Sequence, residues 1–358
     1  DYPLLNWMGR RDDVLRVFMT IEARTSHADL CPNCSNAPAE FICTDCFSRK
    51  MLCASCCVHE HAQKPLDSIK KWNGSFFEDA SLYGLGLRVQ LGHPDGSHCP
   101  CPAAGPTDFT VIHTNKLHCI NVVFCHCSVS VTKEPWEQLM LNEWLPATMD
   151  RPKTACTFRT LELFHMLSHR GKITAYDFYM TLEKLTDNIG QKKFTPIRTS
   201  GTSRGFKSRY ESFLRLTRQW RHLKELKRAG RGNDGVRKVA ETHAGELAVK
   251  CIACLAPGIN LPTGWENAIV EERFLYTVFI AIDACFRLKH RTAGTWEMDP
   301  PLCDGGSYFV ESGPYRQYCN TVKDQKEICT CTGLAAMDFA NTKYSEGYHP
   351  QQSNLYCL

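Results

Sequence analysis

Cysteine is the residue in this sequence best placed to do chemistry, and it comes in pairs. Cys31-x2-Cys34, Cys43-x2-Cys46 and Cys53-x2-Cys56 follow one another within 26 residues, with His59 and His61 directly behind them. Two residues between thiolates let both sulfurs reach one ion at ~2.3 Å from a tight turn, and a structural zinc site takes four such ligands with no open position. Three pairs and the two histidines supply eight potential ligands, enough for two zinc ions. The alternating spacing suits an interleaved arrangement. Cys31, Cys34, Cys53 and Cys56 take the first ion, while Cys43, Cys46 and His61 take the second with one further ligand. Cys57 reads instead as a small buried hydrophobe. The 21 cysteines are an odd number, and closely spaced pairs serve a tetrahedral ion better than a long cross-link, which makes disulfides the lesser alternative.

A second set has different spacing. Cys99-x-Cys101 and Cys125-x-Cys127 are C-x-C pairs, and residues two apart on a strand point to the same face, so each pair can grip one ion from an extended chain. His93, His98, His118 and Cys119 stand close enough in sequence to substitute. The alternative is a cysteine-containing β core without metal. Cys251-x2-Cys254 stands apart, its nearest completion being Cys329-x-Cys331. Cys156, Cys285, Cys303, Cys319 and Cys357 read as packing or exposed thiols, since none has a Cys-His setting.

Two further features bear on nucleic acid. Leu275 to Asp283 (LYTVFIAID) reads as a buried strand ending in a carboxylate, with FRLKHR as its return strand. An Asp presented from a central strand is how ribonuclease-H-like nucleases hold Mg²⁺ for phosphoryl transfer; taken alone, such an Asp is more often a strand-end acceptor, or here a partner of Arg287, than a catalytic ligand. From Arg204 to Arg231 there are ten Lys or Arg against Glu211 and Glu225, a net +8, which leaves −4 for the rest of a chain whose total is +4. Arg215, Arg218 and Arg221 lie along one side of a helix there. Lys224 and Lys227 fall near its apolar arc, so phosphate contact and a merely solvated face both fit.

These residues need elements to hold them. Arg10 to Arg24 carries the amphipathic stripe Val14, Val17, Phe18 and Ile21. Between Cys31 and Asp67 apolar core formers are few, so metal is expected to replace the missing core. FTVIHTNKLHCINVVFCHC reads as two strands around a turn at Thr114-Asn115-Lys116. Phe158–His169 and Thr174–Asn188 read as helices, the second with Thr174 and Asp177 in capping-box spacing and Gly190 as a stop. In the basic window Phe213, Leu216, Trp220 and Leu223 form one apolar side, and the Gly-rich stretch 230–235 marks a linker.

At 358 residues, with 43 % hydrophobic and 22 % charged content, the chain suits two or three ordered domains. No signal pattern follows Asp1. The longest apolar run, Leu275 to Phe286, is too short to span a bilayer and includes Asp283. The expectation is a protein that is not secreted and makes no membrane contact.

Taken together, CPNCSNAPAEFICTDC, LGHPDGSHCPCP, FCHC, LPATMDRPKTACTF, YDFYMTLEKLTDN, RQWRHLKELKRAG, GELAVKCIACLAPGINLPTGW, LYTVFIAIDACFRLKHR and GSYFVESGPYRQY resemble the Kyakuja-Dileera-Zisupton (KDZ) transposases and the cysteine cluster that precedes their catalytic region. The resemblance implies DNA as partner, a nuclear location, and a ribonuclease-H-like catalytic domain whose first acidic residue is similar to Asp283. Where the family pattern places a second His after Pro-Leu, this chain has Pro65-Leu66-Asp67, so either Asp67 or His59 completes the second zinc site or that ion is lost. After CTGLAAMDFANTKYSEGY the ending HPQQSNLYCL departs from the family, and an expected Cys-Ala-Arg-His stretch with the remaining carboxylates does not follow.

The expected fold class is therefore an α+β multidomain protein. It comprises a helical lead-in (1–30), a treble/cross-brace-like zinc cluster (31–67), a β-rich C-x-C module (68–131), a helical middle (132–235), an incomplete ribonuclease-H-like α/β part (236–348) and an unrelated tail (349–358). Its expected cofactor is structural zinc, with Mg²⁺ only if the catalytic domain were complete, and it is expected to be a poor enzyme by itself. The first cluster's spacing also resembles B-box-type modules, so a zinc-dependent protein-protein contact, or a domesticated structural DNA-binding role, is the alternative.

Overall fold

A computed structural model of the chain describes residues 2–24, 29–93, 97–128, 134–188, 208–235, 237–279 and 300–321. The chain divides into two units, Asp1–Trp220 and Arg221–Leu358.

The first unit opens with helices α1 (Pro3–Gly9) and α2 (Arg11–Glu22), the latter starting on Asp12 and Asp13, which favour a helix N-terminus. The expected amphipathic helix is present, yet Val14, Val17, Phe18 and Ile21 are all exposed.

The cysteine segment is built on an antiparallel sheet. Its strands β1 (Phe41–Cys43) and β2 (Met51–Leu52) are followed by α3 (Ala54–Glu60), then β3 (Ile69–Trp72) and β4 (Phe77–Ala80). The strand order is β2-β1-β3-β4. The β3–β4 turn uses Gly74 at φ +105°, where a Cβ would be strained, and Asn73 Oδ1 accepts from the amides of Ser75 and Phe76 at 3.0 Å. Because β3 pairs with β1 through Ile42↔Lys70, the sheet runs past residue 67. The segment has a core after all: Cys31, Phe41, Cys43, Leu52, Cys53 and Cys57 pack in one cluster with Ile69, Leu82, Leu87, Val89, Phe109 and Val111. Metal does not have to stand in for a whole core, because the neighbouring strands supply apolar partners.

Those strands are β5 (Arg88–Gln90), β6 (Pro102–Ala104), β7 (Thr110–Ile112), β8 (Leu117–Cys119) and β9 (Asn121–Cys125), followed by α4 (Pro135–Leu141), β10 (Trp144–Pro146) and β11 (Thr154–Thr157). They form a three-stranded sheet, β5-β9-β6, and a four-stranded sheet, β10-β11-β7-β8. The expected hairpin is β7–β8, turning at residues 113–116.

The helical middle follows. In α5 (Phe158–Arg170) and α6 (Ala175–Thr186), Thr157 and Thr174 cap the N-termini by accepting from the amides of Thr160 and Asp177. Helix α7 (Tyr210–Arg228) buries Phe213 and Leu216 completely, against Phe164, Phe178 and Tyr179. Each such side chain contributes about 1.5–3 kcal/mol by leaving water, which is what anchors a helix otherwise rich in charge.

In the second unit the described residues form short 3-10 turns at Val239–Glu241, Trp265–Asn267 and Val270–Tyr276, and helix α8 (Ser312–Thr321). The described part of the expected buried strand differs from expectation. Leu275 and Tyr276 end a 3-10 turn, and Val278 and Phe279 are exposed. A strand needs a neighbour to take its backbone hydrogen bonds, and among the described residues none is paired with this segment. Residues 280–299, which include Asp283, Arg287 and the expected return strand, lie outside the described residues, so the ribonuclease-H-like expectation has no described sheet behind it.

Candidate metal centres

Three groups of four potential ligands occur among the described residues, and in each the donor atoms lie within 4.8 Å of one another. A tetrahedral ion with bonds of ~2.3 Å to sulfur and ~2.0–2.1 Å to nitrogen or oxygen spaces its ligand atoms about 3.4–3.8 Å apart. That is the yardstick for each group.

The first group is Cys31, Cys34, Cys53 and Cys56. A tight turn, in which the Ser35 amide donates to the Cys31 carbonyl at 2.8 Å, folds the first pair. Cys53 is the N-cap residue of α3 and Cys56 lies in its first turn, so the helix start supplies the other pair. Cys34 Sγ stands 3.7 Å from Cys53 Sγ, a tetrahedral edge and far beyond a disulfide bond. Hydrogen bonds from the Ser55 hydroxyl and the Cys56 amide draw the Cys53 thiol down to about 6, while its own contact with Cys53 pushes Cys56 up to about 12. Without a cation, one thiolate makes its neighbours hold their protons; a divalent ion removes that conflict and lets the set ionise.

The second group is Cys43, Cys46, His61 and Asp67. The Cys46 amide donates to Cys43 Sγ at 3.2 Å, closing the turn at the end of β1. His61, 1 % exposed, caps α3, and its Nδ1 lies 2.7 Å from the Cys57 carbonyl. An Nδ1–H donated there leaves Nε2 with its lone pair toward the group, the usual division of labour in a metal-binding histidine. Nε2 is 3.6 Å from Cys46 Sγ and 3.8 Å from Asp67 Oδ2, which is itself 3.7 and 3.5 Å from the sulfurs of Cys43 and Cys46. The contact with the Cys57 side chain, opposed by burial, holds the imidazole up at about 9, so a metal taken up here must displace a proton. Of the two residues that could complete this group, Asp67 is in it and His59 is exposed outside it. The two groups interleave along the chain.

The third group is His93, Cys99, Cys125 and Cys127. Its sulfurs lie closer than the tetrahedral spacing, with Cys99–Cys125 at 3.2 Å and Cys125–Cys127 at 3.1 Å, so an ion must spread them slightly, and His93 Nε2 is 3.2 and 3.4 Å from Cys125 and Cys127. Cys101, expected as a ligand, is exposed and outside the group. The C-x-C string is not extended here: residues 100 and 101 form a bend ahead of β6, so the two thiols do not share a face as they would on a strand. Only the Cys101 amide serves the group, donating to Cys99 Sγ at 3.3 Å. Burial raises the Cys99 thiol, but hydrogen bonds from Cys125 and this amide outweigh it and bring Cys99 down to about 6. The contact with Cys99 raises His93.

Two residues that position this group escaped the sequence reading. Gly92 has φ +82°, and a Cβ there would come within 2.6 Å of Cys125 Cβ, so only glycine lets the chain turn His93 inward. Gln138 of α4, wholly buried, accepts from the Cys125 amide and donates to its carbonyl, both at 2.8 Å. The L-G-H string carried a signal for Gly92, since a glycine before a ligand suggests a close approach; a lone glutamine carried none.

Other expected residues fall elsewhere. His98 is exposed and His118 donates to Asn115 rather than to a metal group. Cys251 and Cys254 are exposed, and Cys329 and Cys331 lie outside the described residues. Arg215, Arg218 and Arg221 are exposed on α7.

Thiolates with imidazole or a carboxylate are soft, closed donor sets that suit zinc and leave no position for a reacting water. Two family models match the chain: a CxC2 like cysteine cluster associated with KDZ transposases over residues 82–190, and the Kyakuja-Dileera-Zisupton transposase over residues 276–352. The third group lies inside the first match, and the two interleaved groups lie ahead of both. No curated protein and no solved structure matches the chain. No helix among the described residues is long and apolar enough to cross a membrane.

Proposed function

We propose that each of the three groups holds a structural zinc ion and that this chain is the zinc-stabilised DNA-recognition part of a KDZ-type transposase acting in the nucleus. The observation that carries the reading is the closure of all three donor sets, which favours scaffolding over catalysis. Zinc, when bound, cross-links chain segments and neutralises the clustered thiolates. The protein's own residues do the rest: α3 and the β1–β2 turn present the interleaved ligands, and Gln138 and Gly92 fix the third set.

DNA is assigned to the exposed arginines of α7. Phe213 and Leu216 bury one side of that helix and leave Arg215, Arg218 and Arg221 facing solvent, where phosphate contact releases counterions. Asp283 falls within the matched transposase segment and is the proposed first carboxylate of the family's metal-dependent phosphoryl transfer. One carboxylate does not make a two-metal site, so no catalytic step is assigned to it alone.

A second reading has its own support. The interleaved groups precede both family matches, and Phe47, in the loop between them, is fully exposed, as suits a B-box-like module that binds a protein. Fluorescence anisotropy with labelled duplex DNA at two salt concentrations separates the readings. Salt-sensitive binding that disappears on chelation supports DNA recognition; absence of binding by the zinc-loaded chain refutes it and favours a protein partner.

A further inference from the structure

We propose that Asn115, at the tip of the β7–β8 hairpin, is a positioning residue for the Cys43–Cys46–His61–Asp67 group, locking both halves of that group from outside. The inference rests on that group holding zinc. The Asn115 amide nitrogen faces three acceptors: the Leu66 carbonyl at 2.9 Å, Asp45 Oδ2 at 3.2 Å and Ser68 Oγ at 3.3 Å. Leu66 and Ser68 flank the ligand Asp67. Asp45 lies inside the Cys43–Cys46 turn. One side chain therefore bridges the turn that presents two ligands and the loop that presents the fourth.

Neighbouring bonds close the frame. Asp45 Oδ2 accepts from the Ser68 amide at 2.6 Å, and the Thr44 amide and hydroxyl donate to the Ser68 carbonyl at 2.9 and 3.1 Å. On its other side, Asn115 Oδ1 lies 2.8 Å from His118 Nε2. His118 is buried, and burial with the nearby Lys116 charge holds it well below its usual range, hence neutral. A neutral ring donating from Nε2 fixes the amide the right way round, because the flipped amide would turn its oxygen toward three acceptors. The hairpin belongs to the CxC2 match and the ligands do not, so the bridge makes retention of the second ion depend on a segment outside the interleaved cluster.

Residues that orient metal ligands from outside typically alter affinity by about 10- to 100-fold when removed. The test compares zinc release to a chromophoric chelator from the full zinc-loaded chain and from N115L, which keeps the bulk and loses the hydrogen bonds. T186V is the control. Thr186 Oγ1 accepts from the Leu117 amide at 2.8 Å, so its loss weakens the same hairpin away from Asp45 and Asp67. The ion is assigned with C43S/C46S, and cobalt loading gives that site its own absorption bands. The expected result is that N115L releases one ion of the three about 10- to 100-fold faster, the cobalt bands of the two-thiolate site fading first, while T186V releases that ion at the wild-type rate. Unchanged release in N115L, equal acceleration of all three ions, or the same selective loss in T186V overturns the proposal. A wild-type chain with no ion at this site defeats the zinc reading itself, which distinguishes the two failures.

Discussion

Replacing His93 by alanine and Cys101 by serine should have opposite outcomes at the third metal group, although the sequence favours Cys101 as the ligand. His93 Nε2 is 3.2 Å from Cys125 Sγ, whereas Cys101 is exposed in the bend ahead of β6. A structural zinc contributes about 10–16 kcal/mol through four ligands, or roughly 2.5–4 kcal/mol for each. At about 1.4 kcal/mol per decade, H93A should bind the third ion about 60- to 700-fold more weakly. Among the described residues Cys99, Cys125 and Cys127 form a buried cluster of their own, with no other buried apolar side chain in it to take over the lost cross-link. C101S should retain the ion, since it alters only an exposed thiol and leaves the amide that serves Cys99. The assay is a competitive chelator titration with elemental zinc analysis of wild type and both variants. Loss of the ion from C101S with retention in H93A would refute the geometry on which the third group rests.

Other consequences are as specific. Q138A should destabilise the third group, because it removes the two hydrogen bonds that Gln138 makes to the buried backbone of Cys125, at about 0.5–1.5 kcal/mol each; G92A should act in the same direction by forcing a Cβ against Cys125, and thermal melts of the zinc-loaded variants report both. R215A/R218A/R221A should lower the slope of log K against log salt for duplex DNA by up to about 2.7, at about 0.9 per phosphate contact, with zinc content unchanged; an unaltered slope removes α7 from the interface. In the second unit, Arg237 grips Glu246 through two hydrogen bonds and holds its carboxyl down at about 2. A depressed folded pKa gives stability that is complete above the ordinary carboxyl value and lost as pH falls toward 2. Exchange protection of the His243 amide, which donates to Glu246, should therefore fade across that window in wild type and be low throughout in E246Q.

The parts of this fold that were legible in the sequence are those fixed by local rules. Helices α5 and α6 were readable in the sequence, α6 through Thr174 with Asp177 in capping-box spacing, and the structure has Thr174 as the cap. Interleaving of the first two groups followed from C-x2-C spacing because the turn between two such thiolates is itself local. What escaped was set by a local bend or by distant packing. Cys101 and Cys99 look equivalent in a C-x-C string, and the bend ahead of β6, which the string does not announce, separates them. Gln138 gains its role from a strand residue 13 positions away. The apolar stripe of α2 gave the helix but not its partner, and Leu275 to Phe279 has strand-like composition in a segment whose described residues have no neighbouring strand.

If three zinc ions hold this chain together, native mass spectrometry of the full chain, purified without added metal, should find them. The expected result is a mass increment of three zinc ions, with stepwise loss on acidification or chelation and collapse of the fold around Cys31–Asp67. A chain that carries no zinc yet keeps the protected amides of β1, β3 and α3 would contradict it.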